Sequence, residues 1–255
     1  DPDRYTVSVN GYGHMDHPVN LNADIQGMNR YFGWYEKKIQ DIKPWVEQLE
    51  KDYPYQKLML TEYGADANLA HQTEYLGDAL NWGKPFYPET FQTKTHEYQW
   101  SIIKDHPYII ASYLWNMFDF AADARDQGGE PGMNHKGLVT FDRKTKKDSF
   151  YLYKAWWSDE AFVHICSKRF TDRTASEIEV KVYSNQKTVA LFADGQKIAE
   201  QTGEHVFPFK VPLNGEVKLQ AVAGECIDTA SFRKVDTPNP GYKLVKTKSK
   251  SANWV

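Results

Sequence analysis

Short, nearly continuous apolar runs recur through the first 160 residues of the chain, and helical patterns lie between them. Runs without alternation are typical of strands in a parallel sheet that is covered on both faces. Alternation of such strands with helices predicts a βα architecture. The predicted strands are Thr6–Val9, Ile25–Tyr31, Lys57–Thr61 and Ile109–Trp115.

Helices are expected in three stretches of this first part. In the first stretch, Ile39, Ile42, Trp45 and Leu49 recur at helical spacing, and Pro44 is expected to open a second helix, since proline is tolerated at a helix start. The predicted helices are Glu36–Asp52, Thr95–Asp105 and Lys147–Trp157.

After about residue 160 the pattern changes to short strands in which apolar and polar residues alternate. Ile178, Val180 and Val182 fall on one face of such a strand, and Asp194-Gly195 marks a tight hairpin turn. Roughly seven strands of this kind are typical of an immunoglobulin-like β-sandwich. We therefore predict an α/β part at 1–160, an all-β sandwich at 161–235 and a linker or tail at 236–255.

Length and charge limit the alternatives. A complete (β/α)8 barrel needs about 250 residues, so the first part predicts either half a barrel or a smaller α/β fold. The net charge is −3, and no basic stripe with interleaved aromatic residues points to a nucleic acid. No apolar run reaches the roughly 18 residues that a membrane span requires. The aromatic content of 15% is compatible with a sugar-binding cleft.

Metal binding receives little support from the sequence. His14 and His17 are close together but lie in a loop rich in glycine and proline, and the two cysteines lack the spacing of a metal site. Cys166 and Cys226 either pair or remain free thiols. We predict no metal site and no cofactor within this chain.

Polar and aromatic residues at predicted strand ends are the candidates for chemistry. Glu62 follows the apolar run KLML, and carboxyl ends of barrel strands are where active sites form. Asn29 and Tyr31 end the preceding strand, where an amide can bind a sugar hydroxyl and a phenol can donate to a carboxylate. Trp115 ends the fourth strand and is a candidate platform for sugar stacking.

A glycine-rich loop contains two further candidates. Asn134 and Lys136 lie two residues apart and can jointly contact a polyhydroxylated or acidic ligand. A plain surface loop is the alternative interpretation.

Four strings in this order resemble glycoside hydrolase family 2: NRYFGWY, LTEYGAD, SYLWNMFDF and MNHKGLVTFDRKTKKDSFYLYKAWW. The resemblance implies strands five to eight of a (β/α)8 TIM barrel, followed by an immunoglobulin-like domain. It also implies a retaining double displacement with Glu62 as nucleophile and Tyr31 in contact with it. Trp115 matches the substrate-stacking tryptophan of the family. Asn134 and Lys136 match loop positions that contact substrate or, in some relatives, help to hold a monovalent cation.

One family feature is absent. The acid/base of the family is the Glu of an Asn-Glu pair, and the sequence contains no Asn-Glu dipeptide; Glu97 and Glu130 match nothing that replaces it. We therefore expect a fragment that is inactive alone and whose partner is the missing N-terminal part of the same polypeptide or a second copy. Mg²⁺ or Na⁺ dependence would belong to the full-length enzyme.

The resemblance leaves the sugar open. The strings favour a β-galactosidase acting on β-linked oligosaccharides or glycosides. The alternative is a β-glucuronidase, because Asn134-His135-Lys136 has the Asn-x-Lys form that grips a uronic acid carboxylate in such enzymes. A non-catalytic carbohydrate-binding fragment is the third hypothesis.

Overall fold

A four-stranded parallel sheet forms the first half of the computed structural model, which describes residues 3–10, 15–80 and 83–246. Its strands lie side by side in chain order, and every neighbouring pair is parallel. The strands are β1 (Val7–Asn10), β2 (Ile25–Asn29), β3 (Leu58–Glu62) and β4 (Ile109–Ser112). After β4, β5 (Phe120–Ala121) and β6 (Met133–Asn134) form a separate antiparallel pair. The helices of this half are α1 (Ile42–Asp52), α2 (Glu89–Ile103) and α3 (Asp148–Trp157), with 3-10 turns at Asn20–Asn22 and Ile39–Asp41.

Apolar burial explains how the sheet is covered. Leu58 and Leu60 of β3 are fully buried, and Val46 of α1 packs in one cluster with Leu58 and Met28. Because successive side chains of a strand point to opposite faces, Met59 and Thr61 of β3 face the opposite side of the sheet from Leu58 and Leu60. Since these strands are parallel neighbours, the carboxyl ends of β2, β3 and β4 lie together at one edge of the sheet.

Several predicted boundaries differ from the structure. The strands β2 and β4 end at Asn29 and Ser112, earlier than predicted. After β2 the chain turns, since the Tyr31 carbonyl already accepts the Trp34 amide. The helix predicted from Thr95 begins at Glu89. Its first turns carry buried polar residues, so the sequence lacks the apolar stripe that marks a helix start.

The second half is a β-sandwich of two sheets. Its strands are β7 (Val163–Ile165), β8 (Asp172–Arg173), β9 (Glu177–Ser184), β10 (Thr188–Ala193), β11 (Gln196–Thr202), β12 (His205–Pro212), β13 (Glu216–Ala223) and β14 (Cys226–Lys234). One sheet has the order β11-β10-β13-β14-β8 and the other β12-β9-β7. The predicted hairpin is confirmed: Asp194 and Gly195 join β10 to β11, with φ of 49° and 84°.

The sandwich core follows the alternation in the sequence. Every second residue of β13 is buried, and Phe207, Phe209, Val180 and Val182 meet in the same cluster. Cys166 and Cys226 are both free thiols. The expectation of a chain that mixes α/β and all-β structure is confirmed; closure into a barrel and an immunoglobulin-like topology stay predictions.

Polar contacts join the two halves. They link Arg169 with Glu89, His164 with Asp148, and Lys181 with Glu97. The segment that the sequence assigns to a linker or tail, as far as it is described, packs on both halves. A third 3-10 turn, Pro240–Tyr242, places the Tyr242 hydroxyl 2.9 Å from the Asp172 amide that donates to it, and the Lys246 amide donates to the Gly129 carbonyl at 2.6 Å. Within the described ranges, no helix has the length and apolar character of a membrane span.

Candidate active site

Glu62 meets a tyrosine at the carboxyl edge of the parallel sheet. It is the last residue of β3, and Tyr31 follows the neighbouring strand β2. The Tyr31 hydroxyl donates a hydrogen bond of 2.5 Å to Glu62 Oε2. Burial, reinforced by this bond, raises the pKa of Tyr31 far above 10, so the phenol stays protonated and remains the donor. One carboxylate oxygen of Glu62 is thereby held in a fixed orientation.

Asn29 lies directly beside Glu62 in the sheet. The two residues are register partners, and the Arg30 amide donates to the Glu62 carbonyl at 2.8 Å. Thr61 Oγ1 donates to Asn29 Oδ1 at 2.7 Å, which fixes the orientation of the Asn29 amide. The structure thus brings three of the predicted residues, Glu62, Tyr31 and Asn29, to one place.

Trp115 reaches the same edge from β4. Its amide donates to the Tyr63 carbonyl at 2.9 Å, its ring meets Phe120 edge-on, and its side chain is 37% exposed. The peptide bond between Trp115 and the next residue is cis. A partly exposed indole at a strand end can serve as a stacking surface.

The close approach of these segments depends on a glycine. Gly64 has φ of +130°, a conformation that side chains rarely adopt, and a Cβ there would lie 2.9 Å from the His96 ring and 3.2 Å from the Trp115 carbonyl oxygen. A residue with a side chain at this position would push the Trp115 segment away from Glu62.

Lys136 is buried rather than free in the cleft. It is 1% exposed, with Nζ 2.5 Å from Asp66 Oδ1 and donating to the Tyr35 hydroxyl at 2.7 Å. Arg125 also pairs with Asp66, at 3.4 Å, and donates to Tyr35 at 2.5 Å. Asn134, 4% exposed, accepts the Lys136 amide at 3.0 Å and so shapes the loop.

Aromatic rings connect this charged group to Glu62. The rings of Tyr31 and Tyr35 meet edge-on at 5.0 Å, and Lys136 Nζ lies 5.3 Å from the centre of the Tyr31 ring. A cation at this distance from a ring face is attracted by it. The structure therefore places the Lys136 ammonium group beside the Tyr31 ring, whose hydroxyl donates to Glu62.

Sequence reasoning missed Asp66, Tyr35 and Arg125. Asp66 lies in the string LTEYGAD and is fully buried, and Tyr35 ends the string NRYFGWY. The only indication in the sequence is that each is a polar group among aromatic and apolar residues. Arg125 lies in a loop without any local pattern.

The two other candidate acids, Glu97 and Glu130, have partners of their own. Glu97 receives hydrogen bonds from Lys181 and Tyr183 of the sandwich, and Glu130 pairs with Lys246. Both carboxylates are thus engaged by side chains other than the predicted site residues.

One cluster of potential metal ligands occurs among the described residues. Oxygen, nitrogen and sulphur atoms of Asp148, His164 and Cys166 lie within 4.8 Å of one another, and all three residues are buried. However, Asp148 already accepts bonds from His164 and the Ser167 amide, and burial keeps the pKa of the Cys166 thiol well above its usual value. His14 lies outside the described residues, and His17 is exposed.

A cavity of about 560 Å³ lies elsewhere, between α2 and the sandwich. It is lined by charged and hydroxyl side chains, among them Glu74, Thr90, Lys94, Arg173, Glu179 and Lys181. Many of these charges are already paired, and none of them is a predicted site residue. The chemistry is concentrated at the open edge of the parallel sheet.

Comparison with known proteins finds glycosidases among the relatives of the chain, although no protein-family model matches it. A β-glucuronidase of Bacteroides fragilis is 33% identical over 243 residues, which cover 86% of this chain and 34% of that protein. A crystal structure of a "putative beta-galactosidase" from Bacteroides fragilis is 67% identical, with a TM-score of 0.87 over 92% of this chain and 36% of its own.

An FMN-binding β-glucuronidase from Faecalibacterium prausnitzii L2-6 is 39% identical, with a TM-score of 0.88 over 95% of this chain and 37% of its own. The chain thus spans about a third of the length of the proteins it matches. Its homologues are glycoside hydrolases.

Proposed function

We propose that the polypeptide to which this chain belongs is a retaining β-glycosidase with Glu62 as its nucleophile. The observation that carries the proposal is the bond from Tyr31 to Glu62 Oε2 at the carboxyl ends of parallel strands. A hydrogen bond from a phenol that stays protonated orients the carboxylate while its second oxygen is available for attack. The glycosidase homologues support the same reaction class.

In this mechanism, Glu62 attacks the anomeric carbon as the glycosidic bond breaks, and a glycosyl ester forms on its side chain. A second carboxylic acid protonates the leaving oxygen, then takes a proton from the water that hydrolyses the ester. In retaining enzymes the two carboxyl groups lie about 5–5.5 Å apart. We place that second group in another part of the longer polypeptide.

The same proposal assigns the sheet to half of a (β/α)8 barrel and the sandwich to an immunoglobulin-like domain. Within the described residues, β1 and β4 each pair on one side only, and apolar Val9 and Ile110 are exposed on these edge strands. Unpaired strand edges invite further strands. The remainder of the polypeptide is the partner that would complete the barrel.

Trp115 and Asn29 are the substrate contacts that we propose nearest to Glu62. Trp115 offers a partly exposed ring, and Asn29 offers an amide whose orientation Thr61 fixes. Together they would hold the sugar ring against the nucleophile.

The sugar is proposed to be a β-galactoside or a β-glucuronide. The resemblance of the sequence favours the first, and a relative 67% identical is named for that activity. One observation favours the second: Lys136 and Arg125 share the single carboxylate of Asp66, which leaves one positive charge in excess behind Tyr31 and Tyr35. A uronic acid carboxylate would complement that charge.

Hydrolysis of aryl β-galactoside and aryl β-glucuronide by the full-length polypeptide tests the proposal. Glu62→Gln should abolish turnover and leave the fold intact. Glu97→Gln is the matched control, because Glu97 is also half-buried but lies at the sandwich. Activity of Glu62→Gln above a few percent would overturn the nucleophile assignment, and sugar binding without any turnover would favour a non-catalytic module.

A further inference from the structure

Lys147 is a fully buried lysine whose ammonium group uses all three of its protons. Its Nζ donates to the Ala67 carbonyl at 2.8 Å, to Asp119 Oδ1 at 2.8 Å and to the His135 carbonyl at 2.9 Å. Its own amide donates to the Leu138 carbonyl at 2.8 Å. The residue directly precedes α3 and is therefore attached to a rigid element.

The three acceptors lie on three different segments of the candidate site. Ala67 follows Glu62 on the segment after β3, Asp119 follows Trp115 on the segment after β4, and His135 lies between Asn134 and Lys136. One ammonium group thus joins the segments that carry the proposed nucleophile, the stacking ring and the buried cation.

Further bonds tie the same segments around this point. Asp119 Oδ1 also accepts the Gly137 amide at 2.8 Å, and the His135 carbonyl also accepts the Ala67 amide at 2.9 Å. A Cβ at Gly137 would lie 2.0 Å from the Asp119 nitrogen, so the two segments touch. Small displacements of Lys147 would therefore be transmitted to all three segments.

Burial of a charged side chain carries a desolvation penalty that burial of an apolar side chain does not. Burial lowers the pKa of Lys147, and burial raises the pKa of Asp119 to about 6. Replacement of buried ion pairs by apolar residues is often neutral or stabilising. Stability alone therefore does not account for an ammonium group here, whereas a fixed three-way geometry does.

We propose that Lys147 is a positioning residue that sets the arrangement of the Glu62, Trp115 and Lys136 segments. The inference rests on the proposed glycosidase function. Lys147 touches no substrate in this account and acts through the three loops. Misplacement of reacting groups by about 1 Å can cost on the order of 100-fold in rate.

Lys147→Met in the full-length polypeptide removes the charge and the three donors but keeps an unbranched side chain that is only one atom shorter. With the aryl glycoside that the wild type prefers, we expect kcat to fall by about 100-fold and KM to change by less than about threefold. Lys147→Arg keeps a cation with several donors and should recover part of the lost kcat. Lys154→Met, on the same helix and ion-paired with an exposed Glu160, is the control and should retain wild-type kinetics.

Hydrogen exchange provides a readout that does not depend on activity. In Lys147→Met, amides of 64–68, 115–121 and 133–137 should exchange faster together, while the sandwich strands are unchanged. Asp119→Asn weakens the same contact by removing the charge of the acceptor. This variant replaces Lys147→Met in both measurements if Lys147→Met does not fold. Wild-type kcat, or protection of the three segments as in the wild type, would overturn the positioning role.

The two proposals fail in different ways. If the wild type hydrolyses no glycoside, or if Glu62→Gln remains active, the proposed function fails. The exchange measurement then still decides whether Lys147 holds the three segments together.

Discussion

Lys136 Nζ lies 2.5 Å from Asp66 Oδ1, and both side chains are almost completely buried. The lysine of the Asn-x-Lys string is therefore paired with an acid from the segment that follows Glu62. Arg125 is the second cation on the same carboxylate. The charges of Lys136, Arg125 and Asp66 sum to one positive charge, and the proposal of a uronic acid substrate depends on that excess.

The first prediction concerns sugar preference. Lys136→Met should reduce kcat/KM for an aryl β-glucuronide about 10- to 100-fold more than for an aryl β-galactoside, as expected for a hydrogen bond to a charged group. The ratio of the two specificity constants is the measurement. Lys57→Met, at an exposed lysine, is the control. Equal reductions of kcat/KM for both sugars would mean that Lys136 acts only by holding Asp66 and Tyr35 in place and does not contact the sugar.

The second prediction concerns the Tyr31 hydroxyl. Tyr31→Phe removes the donor to Glu62 Oε2 and keeps the ring that packs on Tyr35. A charge-assisted bond contributes about 1.5–3 kcal/mol, so kcat/KM should fall by about 10- to 100-fold. The thermal midpoint, measured in parallel, should change little. Wild-type kinetics in this variant would remove Tyr31 from the proposed site.

The third prediction tests the close approach at Gly64. Gly64→Ala should lower the free energy of unfolding by about 1–3 kcal/mol, because the residue has positive φ and its Cβ would press on His96 and Trp115. Activity should fall as the Trp115 segment moves. Gly215→Ala, where a Cβ meets open space, is the matched control in urea unfolding. Equal stability of the two variants would contradict the steric account.

The fourth prediction concerns acid stability. Burial lowers the pKa of His96 to about 3, below the value of about 6.5 expected in the unfolded chain. The native state therefore keeps His96 neutral down to about pH 3, whereas the unfolded chain protonates it below about pH 6.5. The free energy of unfolding should therefore decrease as the pH falls from 6.5 toward 3. At pH 5 the loss is about 2 kcal/mol.

Urea unfolding at pH 7 and pH 5 measures this loss. His96→Gln, which can still meet the Tyr153 hydroxyl, should show a shallower pH dependence than the wild type. The same difference between the two pH values in both proteins would exclude His96 as a source of acid sensitivity.

Local patterns predict the strands and the hairpin but not every boundary. The apolar run before Glu62 identifies β3, and Asp194-Gly195 identifies a hairpin, because a strand core and a tight turn each depend on adjacent residues. The start of α2 at Glu89 escapes prediction. Glu89 is buried and bonded to Arg169 of the sandwich half, so tertiary contacts decide where this helix begins.

The same distinction applies to the candidate site. Glu62, Tyr31, Asn29 and Trp115 can be identified because each stands at a predicted strand end, and the carboxyl ends of parallel strands meet. The pairing of Asp66 with Lys136 and the three-way contact of Lys147 join residues far apart in the chain. No local spacing encodes such contacts, so only the structure reveals them.

Covalent trapping tests the central claim most directly. The full-length polypeptide would be incubated with an activated 2-deoxy-2-fluoro-β-glycoside of the preferred sugar, digested and examined by peptide mass spectrometry. A glycosyl ester on Glu62, absent from the Glu62→Gln variant, is the predicted result. An ester on a different carboxylate, or hydrolysis that never passes through an ester, would contradict the assignment of Glu62 as the nucleophile.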